Sequence, residues 1–339
     1  MVIARRDFLR AGAAVAASVA LSSCSSSRPG TTATMPTRAP RPTPSTPPPS
    51  PRAPSGPVPF YAYPEPGSLY FGASVPYHRS LDAWERDLGT KLALNRSYFD
   101  PQRKNEPIQL VHRCRDDLAH GRLPHVSTKP PGTWQAVAAG AADDWLASMF
   151  RPLGEAGGAV VFTLHHEPEN DAGPPGMQPR DFVAMQHHAM DLAAELAPQV
   201  TVVPVLQQWT FDLVRNDVDP SAWIVPRAAV MGLDVYNPWS PSNGKPWRSF
   251  GSKTDEAKSW LGDIPIAIGE YGCREDPDSP GLAAEWLRDA AQYARENNIV
   301  SMSYFNSDLN APEGTWELRG SAERTFAELL ASDWVVRPV

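Results

Sequence analysis

Two glutamates stand at the ends of apolar runs in this chain of 339 residues. Glu167 closes the run Ala159-Val-Val-Phe-Thr-Leu-His-His and is followed by Pro168, Glu169 and Asn170. Glu270 closes Ile264-Pro-Ile-Ala-Ile-Gly and is followed by Tyr271 and Gly272. Runs this continuously apolar fit strands covered on both faces, as in a parallel sheet. A carboxyl group pressed against such a strand is poorly hydrated and holds its proton more tightly. Two that face one another divide into an acid and a base. Such a pair can protonate a departing oxygen and attack the carbon it leaves, which is the chemistry of glycosidic-bond cleavage. A lone glutamate near a strand end is ordinarily a solvated loop residue or an ion-pair partner. Two of them, with Pro168 and Gly269 alongside, favour chemistry. Glu169 rivals Glu167 for the acid role, and its position two residues on predicts a place out in the loop.

Strands must carry these groups, and eight strand-like runs recur: 70–75, 92–99, 125–129, 159–165, 201–207, 229–236, 265–269 and 299–305. Helical patterns fill the gaps at 80–88, 106–120, 134–153, 179–196, 253–261, 282–297 and 321–330, with a less regular stretch at 212–224. Strands alternating with helices predict a parallel sheet, and eight repeats predict closure into a single (β/α)8 TIM barrel over residues 60–339. No glycine-rich phosphate loop follows the first strand, which counts against a nucleotide-binding sheet.

In such a barrel the residues that follow the strands share one rim. That rim gathers Tyr77, His78, Arg96, Tyr98, Lys129, Trp134, His165, His166, Glu167, Asn170, Gln208, Trp209, Asp234, Tyr236, Trp239, Glu270, Tyr271, Tyr304, Asn306 and Trp316. Acids and aromatics dominate. Sugar rings lay apolar faces on flat side chains while their hydroxyls need polar partners, so the set predicts a sugar cleft. Trp209, Trp239, Trp247 and Trp316 fall in loops and are candidate stacking surfaces. Trp84, Trp145, Trp260 and Trp286 fall in helical patterns and are read as core.

The motifs resemble glycoside hydrolase family 26, the β-mannanase family, within the clan of (β/α)8 retaining glycosidases. The resemblance rests on His166-Glu167-Pro-Glu-Asn170, Ile268-Gly-Glu270-Tyr-Gly272, Gly232-Leu-Asp234-Val-Tyr236 and the segment 138–144. It implies Glu167 as general acid/base, Glu270 as nucleophile, His166 as a sugar ligand beside the acid, and Tyr236 as the residue that orients the nucleophile. It implies no cofactor. Two positions depart from the family pattern: the loop 171–178 lacks the tryptophans expected after the acid, and Tyr304-Phe305 stands where a tryptophan is expected on strand eight. Both fall where substrate binds. The substrate-binding set is therefore read as His166, Asn170, Tyr236, Arg96, Trp209, Trp239, Tyr304 and Trp316. The substrate is a β-linked polysaccharide, mannan-like or a cell-wall glycan. The alternative is a sugar-binding surface lipoprotein whose barrel has lost activity.

A metal hydrolase is the other rival. His165, His166, His187 and His188 cluster in sequence, but His187 and His188 lie within one helix at no ligating spacing and no HExxH motif occurs, so no metal is expected.

The first 59 residues belong to a different kind of segment. Arg5-Arg6-Asp-Phe-Leu-Arg10 and the short apolar run 11–21 read as a twin-arginine export signal over 1–24. It ends in Leu21-Ser-Ser-Cys24, a lipobox-like sequence that makes Cys24 the expected lipid-attachment site. Residues 25–59 are rich in Pro, Ser and Thr and too poor in apolar residues to fold, so a disordered spacer reaching roughly 100 Å is expected. The expected product is an extracytoplasmic, membrane-anchored monomer. Those 59 residues hold seven arginines and one acid, Asp7, leaving 24 basic and 37 acidic residues from position 60 onward. An acidic domain argues against nucleic acid as a partner. Cys114 and Cys273 sit in dissimilar contexts, and no disulfide is inferred.

Overall fold

The computed structural model describes residues 60–337, apart from 61, 76–78, 104, 216 and 309–313. The expected signal with Cys24, the expected spacer and the rim positions Tyr77 and His78 lie outside the described residues.

The strands are β1 (Tyr70–Ser74), β2 (Leu94–Phe99), β3 (Leu123–Thr128), β4 (Val160–Leu164), β5 (Val200–Val202), β6 (Val205–Gln207), β7 (Met231–Tyr236), β8 (Ile266–Gly272) and β9 (Ile299–Phe305). All pair in parallel, in the order β5-β4-β3-β2-β1-β9-β8-β7-β6. The two ends of that order are consecutive pieces of one segment. The expected fifth strand, 201–207, is therefore split, and the sheet closes on itself through Val203–Pro204. Val203 N–H still donates to Phe162 of β4, while the Pro204 carbonyl accepts from Gly232 of β7. Pro204 has no N–H to continue the ladder, which is why the strand breaks there. The result is the expected (β/α)8 TIM barrel.

Among the described residues eight α-helices surround it: α1 (Leu81–Leu88), α2 (Glu106–Ala119), α3 (Trp134–Ala138), α4 (Asp143–Ala156), α5 (Pro179–Leu196), α6 (Phe250–Leu261), α7 (Leu282–Glu296) and α8 (Gly320–Leu330). The helix expected over 134–153 is two helices. Gly140 adopts φ 89°, a left-handed value that halts the first, and Asp143 begins the second. The irregular stretch at 212–224 carries one short 3-10 turn, Pro220–Ala222, and another, Gln208–Phe211, precedes it. Among the described residues no helix is long and apolar enough to cross a membrane.

Two apolar layers hold the barrel. Between sheet and helices, Phe150 packs edge-on against Phe162 at 5.1 Å, and Trp84 stacks on Phe326 at 5.8 Å. Each fully buried ring of this kind contributes about 1.5–3 kcal/mol. Inside the barrel, Tyr70, Leu94, Leu123, Val161, Val203, Val205, Val230, Ala267 and Val300 form an apolar floor. Further along the strands the lumen turns polar: Arg96, His125 and Thr163 lie two residues beyond Leu94, Leu123 and Val161, and Asp234 four beyond Val230, all buried. Of the helical tryptophans, Trp84 and Trp286 are buried as expected, but Trp260 is exposed, on the solvent side of α6. Cys114 and Cys273 are free and buried.

Candidate active site

Glu167 and Glu270 meet at the carboxyl end of the barrel. With Asp234 they form a trio whose nearest carboxyl oxygens all lie within 4.8 Å of one another. Each is aimed by a local irregularity. In β8, Leu233 pairs with Ile268 and Asp234 with Glu270, so Gly269 is an extra residue and the strand bulges. The bulge turns Glu270 into the lumen rather than onto the helix side, where its neighbour Tyr271 is buried. A Cβ at position 269 would lie 2.7 Å from Asp234 Oδ1 and 3.0 Å from Val205, so only glycine fits. At the end of β4, His165 and Glu167 take φ of 63° and 49°. A residue with a Cβ held in that region costs about 1–3 kcal/mol and persists only where its surroundings enforce it.

Glu270 is gripped at both oxygens. Tyr98 Oη donates to Oε1 at 2.7 Å, and Tyr236 Oη donates to Oε2 at 2.6 Å. Burial and the neighbouring Glu270 push both phenols well above their ordinary range, although Arg96 opposes this at Tyr98, so both remain donors. Glu167 Oε2 accepts from Asn170 Nδ2 at 3.0 Å. Burial, then repulsion from Glu270 and Glu169, pushes Glu167 up to about 8. Asp234 is also held well above its ordinary range, by burial first and then by Glu270 and Glu167. Glu169 does not lie out in the loop. The 3-10 turn Pro168–Asn170 folds it back, and its Oε1 accepts from Gln207 N–H at 3.0 Å and Thr210 Oγ1 at 2.6 Å. It ties the acid-bearing turn to β6, and burial raises it to about 7.

His166 packs edge-on to Tyr98 at 5.4 Å, and its Nδ1 lies 2.8 Å from Ser127 Oγ. Burial and then the positive charges of Arg96 and Lys129 hold it well below its ordinary value, so it is a neutral ring. Arg96 is buried beneath the pair, its guanidinium 5.0 Å from the Tyr98 ring centre, and supplies positive charge under a trio of acids. It touches the site from below rather than through the cleft.

The aromatic candidates divide. Trp316 packs against Tyr236 at 4.8 Å, carries the Arg274 guanidinium over its ring at 4.0 Å and is only 6% exposed, so it is covered like Trp209 and supports the wall of the pocket from behind. Arg274 donates to the Trp239 carbonyl at 3.2 Å, and Trp239 meets Trp247 edge-on at 5.3 Å. Trp239 and Trp247 are half-buried and keep accessible surface. Trp209 lies on the turn Gln208–Phe211 with Arg215 over its ring at 4.0 Å, so that face is covered. Tyr304 does not join the site. It is 2% exposed, packs against Tyr271 at 5.2 Å in the layer under the helices, and donates to the Cys273 carbonyl. Its neighbour Phe305 faces the pocket instead, edge-on to Tyr236 at 6.1 Å and to Tyr98 at 6.3 Å. Tyr98 is the candidate site residue that sequence reasoning placed on the rim without a role; its partner Glu270 is 172 positions away.

The trio could also offer oxygens to a cation, but Glu270 has both oxygens committed to phenols and Arg96 sits beneath it. Of the histidines, His188 pairs with Asp143 at 2.5 Å, away from the trio. The donor set fits an acid pair better than a metal centre.

No protein-family model and no curated protein matches the sequence. Solved structures do. GH5_18 from Streptomyces cattleya in complex with GlcNAc is 16% identical, with 80% of this chain and 81% of that one covered and a TM-score of 0.57. A structure of fungal β-1,4-galactanase is 13% identical over 78% of this chain and all of that one, at a TM-score of 0.56. GH26C from Muricauda sp. MAR_2010_75 is 11% identical over 82% and 88%, at 0.52. At these identities the likeness establishes what the chain shares with glycoside hydrolases of several families: the (β/α)8 fold.

Proposed function

We propose that this chain is a retaining glycoside hydrolase that cuts a β-linked polysaccharide, mannan-like or from a cell wall. The carrying observation is the separation of Glu167 and Glu270, whose nearest oxygens lie within 4.8 Å. Retaining pairs stand about 5–5.5 Å apart, whereas inverting pairs leave about 6.5–9.5 Å for a water. The fold neighbours named for families 5 and 26 and for β-1,4-galactanase support the same reading.

Glu167, protonated at neutral pH, donates its proton to the departing glycosidic oxygen. Glu270 attacks the anomeric carbon as that bond breaks, giving a glycosyl ester. The leaving group departs, and Glu167, now ionised, takes a proton from water that releases the sugar with its configuration retained. Tyr98 and Tyr236 fix the attacking carboxylate, and neutral His166 offers the sugar a hydrogen-bonding edge. Half-buried Trp239 and Trp247 offer flat faces on which neighbouring sugar rings stack. Arg5-Arg6 and Cys24 support export and lipid anchoring, so the substrate is met outside the cytoplasm. The combined strand-four, strand-six and strand-seven motifs support a family 26-like enzyme.

The test is a screen of β-mannan, β-glucan, xylan, galactan and arabinogalactan with reducing-end detection, followed by Glu270→Ala on whichever glycan is cut. The variant is expected to lose turnover and to regain it with azide, giving an inverted glycosyl azide. A variant that hydrolyses at the parent rate refutes the assignment.

A further inference from the structure

We propose that His165 is a positioning residue for Glu167: Trp134 and Asp171 hold its imidazole in one tautomer, and it pins the left-handed turn that presents the acid. The inference rests on the double-displacement reading above.

The turn spans the barrel wall in three residues. His165 N–H donates to Thr128 of β3 at 2.8 Å, and Glu167 N–H donates to Val205 of β6 at 3.0 Å. Between those two bonds the chain adopts positive φ at both His165 and Glu167, neither of them glycine. Backbone bonds alone do not select that conformation, so side chains must. Those of the acid itself are not available, because its carboxyl has to face substrate.

His165 supplies the anchor. It is 4% exposed and edge-on to Trp134 at 5.2 Å. The indole Nε1 can only donate, so His165 Nδ1, 2.8 Å away, accepts. The one ring proton of the neutral imidazole is thereby placed on Nε2, which donates to Asp171 Oδ2 at 2.8 Å. Asp171 also accepts from Lys129 Nζ at 2.5 Å. Asp171 directly follows the 3-10 turn Pro168–Asn170 that Glu167 opens. The chain on both sides of the acid is thus tied to one imidazole, which is tied in turn to the first residue of α3. Burial disfavours the charged ring, which agrees with this neutral form.

A residue that merely fills space would, when disturbed, weaken all substrates alike. A residue that positions the acid is felt only where the leaving group needs a proton. A dinitrophenolate departs without one; a sugar alkoxide does not. The measurement is kcat/KM, which reports the first, acid-assisted step, on 2,4-dinitrophenyl β-glycosides (manno, gluco, galacto and xylo monosides and biosides) against the β-1,4-linked oligosaccharide of the accepted sugar. For Trp134→Phe and Asp171→Ala the ratio of the two values is expected to shift about 10- to 100-fold against the oligosaccharide, the scale of an acid displaced by about 1 Å. Equal losses on both substrates overturn the proposal. Asp171 is part-exposed, so its variant covers the case in which Trp134→Phe does not fold.

The tautomer is read separately, in the parent protein, from the 15N shifts of the His165 ring. Protonation at Nε2 is expected, and Trp134→Phe is expected to mix the tautomers. Protonation at Nδ1 in the parent overturns the proposal. A parent that cleaves no glycoside in the panel refutes the hydrolase reading, and the ring shifts then still decide whether the anchor exists.

Discussion

Replacing Glu167 by Gln should make the protein more stable while removing the proposed chemistry. Glu167 is raised from an ordinary 4.5 to about 8, by burial first and then by Glu270 and Glu169. Its folded form therefore binds a proton more tightly than its unfolded form. That is neutral for stability below 4.5, where both forms are protonated. The penalty grows as pH rises from 4.5 and is complete by about 8. Each pH unit in that window is worth about 1.4 kcal/mol, which sets a ceiling of about 5 kcal/mol at pH 8. Partial solvent access and mutual relief among the carboxyls reduce this to roughly 2 kcal/mol. Glutamine keeps the shape and an oxygen for the Asn170 bond, but has nothing to ionise. For a barrel of this size, about 2 kcal/mol is a rise of roughly 4–8 °C in Tm at pH 8. At pH 5 the ceiling is under about 1 kcal/mol, and the gain should nearly vanish. Calorimetry of parent and variant at the two pH values, with hydrolysis measured in parallel, checks both halves. No gain at pH 8, or the same gain at pH 5, would refute the account of a strained, desolvated acid.

Three further expectations follow from the same site. Tyr98→Phe and Tyr236→Phe each remove one charge-assisted bond to Glu270, worth about 1.5–3 kcal/mol, so kcat/KM should drop by about 10- to 100-fold in each. If either variant keeps the parent rate, that phenol does not hold the nucleophile. The pH–rate profile should fall on its alkaline side near 8, because the acid must be protonated for the first step; a profile flat to pH 10 would remove Glu167 from that role. Gly269→Ala places a methyl 2.7 Å from Asp234 Oδ1 and should lower stability by about 1–3 kcal/mol and activity with it, measured by urea denaturation and assay. An unaffected Gly269→Ala would mean that the bulge does not need glycine.

The barrel was legible because its strands are buried on both faces, which writes them as unbroken apolar runs such as 159–165 and 299–305. Helix α5 begins at Pro179 and ends at Leu196 as the pattern predicts, since proline suits a first helical position and Asp181 takes the Gln178 N–H at 3.0 Å. Irregularities were harder to read. Pro204 interrupts the fifth strand, and proline in a barrel strand is a visible signal of a missing ladder bond. Facing was misread at Tyr304 for a specific reason. Ile266 pairs with Ile299 and Ala267 with Ser301, so β9 carries an extra residue and everything beyond it changes sides. That slip puts Phe305 in the pocket and Tyr304 under the helices. The pairing of Tyr98 with Glu270 joins positions too distant for any local pattern. Glu169 shows the opposite lesson, because burial of a charged side chain depended on Thr210 and a backbone N–H that only the folded chain supplies.

The seam at Val203–Pro204 has a mechanical consequence. Glu167 hangs from Val205, and Glu169 from Gln207, both on the short piece of chain just past the join. The ring is therefore sewn shut at the spot where the proposed proton donor is mounted. Any breathing of the closed sheet there carries the donor with it, so the tightness of closure and the aim of the acid are one property of this molecule.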